Sequence, residues 1–79
     1  MLYIDNLSSL KEGEKALVRE LYINDTMRRR LQDIGLIRGT KVSCIQKSPS
    51  GNPTAYLIRG AVIALRNSDA RQIIVELTK

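Results

Sequence analysis

No stretch of this chain that can bury itself is long. Its apolar residues come in short runs, each cut off by glycine, proline or a cluster of polar residues. Runs of about four to eight residues bounded by turn formers read as strands, whereas a helical bundle needs longer stretches of apolar period 3.6. Residues 15–23 are rich in Val, Leu, Ile and Tyr and read as a first strand. Residues 41–47 read as a second, with Val42 and Cys44 on one face and Ile45 straddling the pattern. Residues 55–59 and 61–66 form a hairpin around Gly60, and residues 73–77 form a last strand. Before the first strand, residues 7–13 read as a turn or a single helical turn ending at Gly13, with Leu7 and Leu10 facing a common core.

One segment has helical period. It spans residues 24–34, with Asn24 as N-cap and Asp25 placed well for the helix dipole. Met27, Leu31 and Ile34 fall on one face. Ile34 is expected to pack on the sheet. Met27 and Leu31 are open to either role, since a short helix on a small barrel leaves some apolar surface uncovered. Gly35 is the expected left-handed residue after the helix, and Leu36 is expected to fold back on Leu31 or Gln32. Ser68 is expected to cap a short helical turn through Arg71. Five short strands with one early helix suggest a small, strongly bent β-barrel forming a single domain over residues 1–79.

The composition narrows the function. At 79 residues there is core enough for one domain and little left for a deep cleft. Phe and Trp are absent, so Leu, Ile and Val must fill the core with three tyrosines. Histidine is absent and Cys44 is the only cysteine, which removes the usual zinc and haem ligands, any disulfide framework and any imidazole base. The carboxylates are dispersed with no calcium-loop spacing. The expectation is a binding module rather than an enzyme, with no cofactor and no metal site of its own. No run reaches the roughly 20 apolar residues of a membrane span, and the first ten residues lack a basic signal-peptide region. With its free thiol, the chain is expected to be cytoplasmic.

The net charge is +5, most of it between residues 15 and 47. Arg28, Arg29 and Arg30 are the densest cluster. Their ordinary reading is a solvated helix surface balanced by Asp25 and Asp33, and the alternative is a phosphate or carboxylate contact. The chain has few aromatics for base stacking, so nucleic acid is the less favoured partner. The loop at residues 48–53 holds Pro49 and Pro53 around Gly51, a stiffened loop with one permissive position.

Three stretches together resemble the FeoA family, the small cytosolic partners of the bacterial ferrous iron transporter FeoB. Arg29-Arg30-Leu31-Gln32-Asp33-Ile34-Gly35-Leu36-Ile37-Arg38-Gly39-Thr40 is similar to that family's helix and turn. Ser48-Pro49-Ser50-Gly51-Asn52-Pro53 is similar to its proline-bracketed loop. Arg59-Gly60-Ala61-Val62-Ile63-Ala64-Leu65-Arg66 is similar to its hairpin, and Asp69-Ala70-Arg71-Gln72-Ile73 also fits. Ile34 stands where leucine is common and Arg38 where proline is common, while Ser50 and Asn52 replace a leucine and an aspartate.

The resemblance implies an SH3-like, five-stranded β-barrel with a helix inserted after the first strand. It implies an accessory role in ferrous iron uptake, through contact with the cytosolic, GTP-hydrolysing portion of a FeoB-type transporter. Met27, Arg30, Leu31, Gly35 and Leu36 are the expected contact residues, with Pro49, Gly51 and Pro53 second. Insertion in the membrane is not expected, and weak self-association is left open. A basic barrel that binds nucleic acid and a domain of the kind found in metal-responsive regulators are the alternatives. The helix-turn-helix domain of such repressors is not present in this sequence.

Overall fold

A computed structural model describes residues 2–78, with the side chain of Thr78 left aside. The order of elements is β1 (Leu2–Asn6), a 3-10 turn (Leu7–Ser9), β2 (Lys15–Leu21), α1 (Asp25–Asp33), β3 (Lys41–Lys47), β4 (Thr54–Ile58), β5 (Ala61–Leu65), α2 (Asn67–Ala70) and β6 (Ile73–Thr78). The strands form one antiparallel sheet in the order β1-β6-β2-β3-β4-β5. The five expected strands are all present, and the fold is the SH3-like one.

Two features differ from expectation. A sixth strand, β1, precedes the others, so the helix follows the second strand of the chain. Leu2 to Asp5 are exposed, and β1 is held by pairing with β6 at the far end of the sequence. A short segment with no buried face carries no local signal for such a partner. The sheet also rolls up without closing, because no ladder among the described residues joins β1 to β5.

The curvature has local causes. The β2–β6 ladder shifts between Val18 and Glu20, and the β3–β4 ladder shifts between Cys44 and Gln46. Each shift leaves one extra residue, Arg19 and Ile45, which bends and twists its strand. Val42 and Cys44 face the core and Ile45 is turned out, as regular alternation requires, and the bulge breaks the alternation one residue later, where Gln46 is exposed as well.

Leu7 and Leu10 from the 3-10 turn, Val18, Ile23, Val42, Ile58, Ile73 and Val75 fill the core without exposure above a trace. Tyr56 is the largest side chain wholly inside it. Its hydroxyl donates to the Leu7 carbonyl at 3.4 Å, and burial pushes the phenol up to about 12. Burial likewise raises the Cys44 thiol, with nearby Lys47 opposing the rise.

The short helix α2 is capped two residues earlier than expected. Arg66 is its N-cap, without a side-chain bond, and Ser68 lies inside the turn. The Asn67 N–H, which a capping serine would otherwise leave to solvent, instead donates to Asn52 Oδ1 at 3.0 Å from the loop. No helix among the described residues is long and apolar enough to cross a membrane.

Candidate functional site

Two surface regions carry the residues singled out by sequence: the end of α1 with its cap, and the loop at residues 48–53. The helix begins as expected, with the Met27 N–H donating to Asn24 Oδ1 at 3.0 Å. The arginine cluster then divides. Arg28 turns back, donating to the Ile23 carbonyl at 3.3 Å and pairing with Asp25 at 3.6 Å. Arg29 and Arg30 stay exposed and border a shallow depression with Asp25, Thr26 and Asp33. The run of three charges is thus one anchoring arginine and two solvated ones.

The C-terminus of α1 closes as a double hydrogen-bonded turn. The Leu36 N–H donates to the Leu31 carbonyl at 2.8 Å, and the Gly35 N–H to the Gln32 carbonyl at 3.0 Å. Gly35 takes φ +98°, as this closure requires. Thr40, which is buried, locks the next turn: its hydroxyl donates to the Gly35 carbonyl at 2.7 Å and accepts from the Ile37 N–H at 3.2 Å. The Gly39 N–H bonds the Val18 carbonyl at 2.7 Å, and the Val18 N–H bonds the Thr40 carbonyl at 2.9 Å. The cap is therefore stapled to β2 and presents a fixed surface.

The exposure pattern reverses one expectation. Leu31 is only 3% exposed and Leu36 is fully buried, whereas Ile34 is 40% exposed. Met27 is partly buried against the core. The cap supplies the reason. By turning the chain at Gly35 it brings Leu36 into the core beside Leu31, and Ile34, the C-cap residue, is left on the rim with Ile37. Periodicity alone ranks Ile34 with Leu31, because it contains no information about where the chain turns.

A residue that sequence reasoning did not single out for this region is Arg59. It occupies the tight turn between β4 and β5 with φ 49°, the one non-glycine residue of positive φ among those described. Its side chain lies across Gly35. The cationic stem thus covers the end of α1, where the partial negative charge of the helix favours a cation. The only sequence signal was its place before Gly60 in a two-residue turn, a position better suited to Asn or Gly.

The loop is held at several points. The Gly51 N–H donates to the Ser48 carbonyl at 2.7 Å, and the Ser48 N–H to the Pro53 carbonyl at 3.3 Å. Gly51 adopts φ +81° and the Asn52–Pro53 bond is cis. Asn67 latches the loop to α2, with its Nδ2 donating to the Gly51 carbonyl at 3.0 Å in addition to the bond its N–H makes to Asn52. Pro49 and Pro53 are exposed and border a shallow groove with Gln46, Ser48, Ala55 and Ala64.

The two regions do not meet. Arg59 and the cap stand at one end of β4, and the loop stands at the other. Five residues of strand separate them, roughly 17 Å of chain at about 3.3 Å per residue. Among the described residues, no three of His, Cys, Asp and Glu converge in a way that could hold a metal ion.

Comparison with known proteins agrees with this geometry. A Porphyromonas gingivalis protein, the Fe(2+) transport protein A/Fe(2+) transporter FeoB fusion protein, is 31% identical over 71 residues. The match takes in 90% of this chain but only 8% of that much longer protein. The FeoA protein of Chlorobium tepidum is 34% identical and superposes with a TM-score of 0.89, over 94% of this chain and 70% of that one. The FeoA of Stenotrophomonas maltophilia, solved as a zinc complex and described as a prokaryotic SH3 domain protein, is 31% identical. It superposes with a TM-score of 0.79 over 89% and 87% of the two chains. The family model of the FeoA domain matches residues 6–77, and the chain belongs to the FeoA family.

Proposed function

We propose that this chain is a cytoplasmic accessory protein of ferrous iron uptake, acting by contact with the cytosolic, GTP-hydrolysing portion of a FeoB-type transporter. The observation that carries this reading is the fusion relative, in which a domain like this one shares a polypeptide with the transporter. Two activities joined in one chain work at a high effective concentration of each other, which is useful when their separate domains must meet. A rigid cap and a latched loop suit recognition of a protein, since little surface must be ordered on binding.

The contact region under this reading is the end of α1 and its cap, with the loop at residues 48–53 second. Leu31 and Leu36 hold the surface from beneath, Gly35 shapes it, and Met27 lies at its inner edge. Arg30, together with the rim residues Ile34 and Ile37, is what a partner can reach. Capture of the transporter's cytosolic portion by the immobilised chain, and restored iron uptake when the chain is returned to a strain lacking it, are the expected results. Absence of capture at micromolar concentrations with no change in uptake sinks the proposal.

A further inference from the structure

The outer face of the sheet holds a cationic depression beside the cap. The ladders align Lys15, Ser43, Leu57 and Val62 in one row across β2, β3, β4 and β5, and Leu17 with Lys41 in the next. Directly paired residues share a face, so all of these side chains project from one side. Lys41, Ser43, Leu57 and Arg59 line the depression and no carboxylate does. Leu57 is the apolar side chain of the lining, 39% exposed, and its ladder partner Val62, beside the depression on β5, is 66% exposed.

One acid, Glu76, lines the adjoining depression with Lys15 and Lys41, and none lines this one. Glu76, which lies across Leu17 from Lys41, pairs with Arg19 at 3.9 Å. Glu12 accepts from the Lys47 N–H at 2.8 Å, at the far end of β3, and Glu14 accepts from the Lys11 N–H at 2.7 Å. Asp33 faces the arginines of the helix. Lys15, Lys41 and Arg59 are left without an ion pair among the described residues. Arg59 also holds a left-handed backbone conformation, unfavourable for a residue with a Cβ, and backbone outliers of this kind cluster at recognition sites.

We infer that this depression, with Lys41 and Arg59 beside Leu57, docks an acidic protein segment carrying an apolar side chain. The carboxylates meet the two cations and the apolar group covers Leu57 and Val62. Charge complementarity selects the acidic partner. The apolar floor selects protein over nucleic acid, because no tyrosine lines the depression to stack a base. The inference rests on the reading that this chain works by protein contact, and it adds a second face to the cap surface.

The test uses the whole chain, isotope-labelled, titrated with the peptide Glu-Glu-Leu-Glu-Glu, with a DNA duplex, and with vesicles containing phosphatidylglycerol. The expected result is amide shifts concentrated at Lys41, Ser43, Leu57, Arg59 and Gly60 with the peptide. Lys41→Glu should weaken binding about tenfold or more, while Arg29→Glu, with the same change in net charge, leaves it within about twofold. Leu57→Ser, on the floor, gives a second variant read in the same way. Shifts spread equally over Arg29, Arg66 and Arg71, no binding, or equal binding of DNA or vesicles overturns the inference. Capture of the transporter portion by Lys41→Glu as well as by the parent chain removes this face and leaves the proposed function standing. Peptide binding at the depression without capture of the transporter does the reverse.

Discussion

The side chain of Arg59 lies across Gly35, on the spot where a Cβ would stand if residue 35 had one. A hairpin turn and a helix end, separated by two strands and a loop in the sequence, are thereby held in contact. Gly35 is required twice, for its left-handed backbone and for the space above it.

Gly35→Ala should therefore lower the unfolding free energy by about 1–2 kcal/mol from the backbone alone. Displacement of Arg59 adds to this, though modestly, because its side chain is flexible. In an Arg59→Ala background the second contribution should vanish, and a double-mutant cycle by urea denaturation measures it. Equal costs in the two backgrounds would show that the Gly35–Arg59 contact is energetically silent.

Leu31 and Ile34 should behave oppositely under substitution. Leu31→Ala removes a buried side chain and should cost about 2–5 kcal/mol. Ile34→Ser, at the exposed rim, should stay within about 0.5 kcal/mol of the parent. Any loss of partner binding in Leu31→Ala would then reflect the fold, whereas loss in Ile34→Ser would report contact. Thermal melts of both variants decide which side chain the core needs.

The latch between loop and α2 gives a local prediction. Asn52→Ala leaves the Asn67 N–H without its acceptor and should cost roughly 1 kcal/mol. Amide exchange at Asn67 and Gly51 should accelerate, with Val42 and Val75 in the sheet unchanged relative to global stability. Uniform acceleration would show that the loop is not a separately latched unit.

Alkaline pH should destabilise the protein through Tyr56. Its phenol titrates at about 12 in the fold, against an ordinary value of 10. Between these values the unfolded chain has released the proton and the folded chain has kept it, so the Tyr56 contribution is intact below pH 10 and is lost as pH rises toward 12. A shift of this size corresponds to roughly 2–3 kcal/mol. Buried Cys44, also raised, contributes in the same sense from lower pH. Tyr56→Phe should flatten the decline above pH 10 in denaturation midpoints, at the cost of the bond to the Leu7 carbonyl.

Much of the architecture is legible in the sequence because its signals are local. Asn24 and Gly35 bracket the helix through hydrogen bonds to residues three to five positions away, and such bonds need no knowledge of the rest of the fold. The hairpin at Gly60 and the five strands with a buried face are local in the same sense. The resemblance to FeoA is carried by these same turns and caps, since they are the points where side-chain identity is most constrained.

What the chain's own residues determine, then, is that it forms a small, bent sheet with one capped helix, holds no histidine and a single cysteine, and carries an excess of positive charge. Only the tertiary structure decides which side chains remain for a partner. The pairing of β1 with β6 joins residues at opposite ends of the chain, Leu2 with Thr78 and Asn6 with Ile74 at its two limits. Leu36 rather than Ile34 enters the core because of where the cap aims the chain. Arg59 covers Gly35, and Lys41 comes to lie beside Leu57, because strand register sets them on one face. Each of these depends on long-range contacts, whose energy is realised only once the sheet has closed the distance, and for that reason none leaves a periodic mark in the sequence.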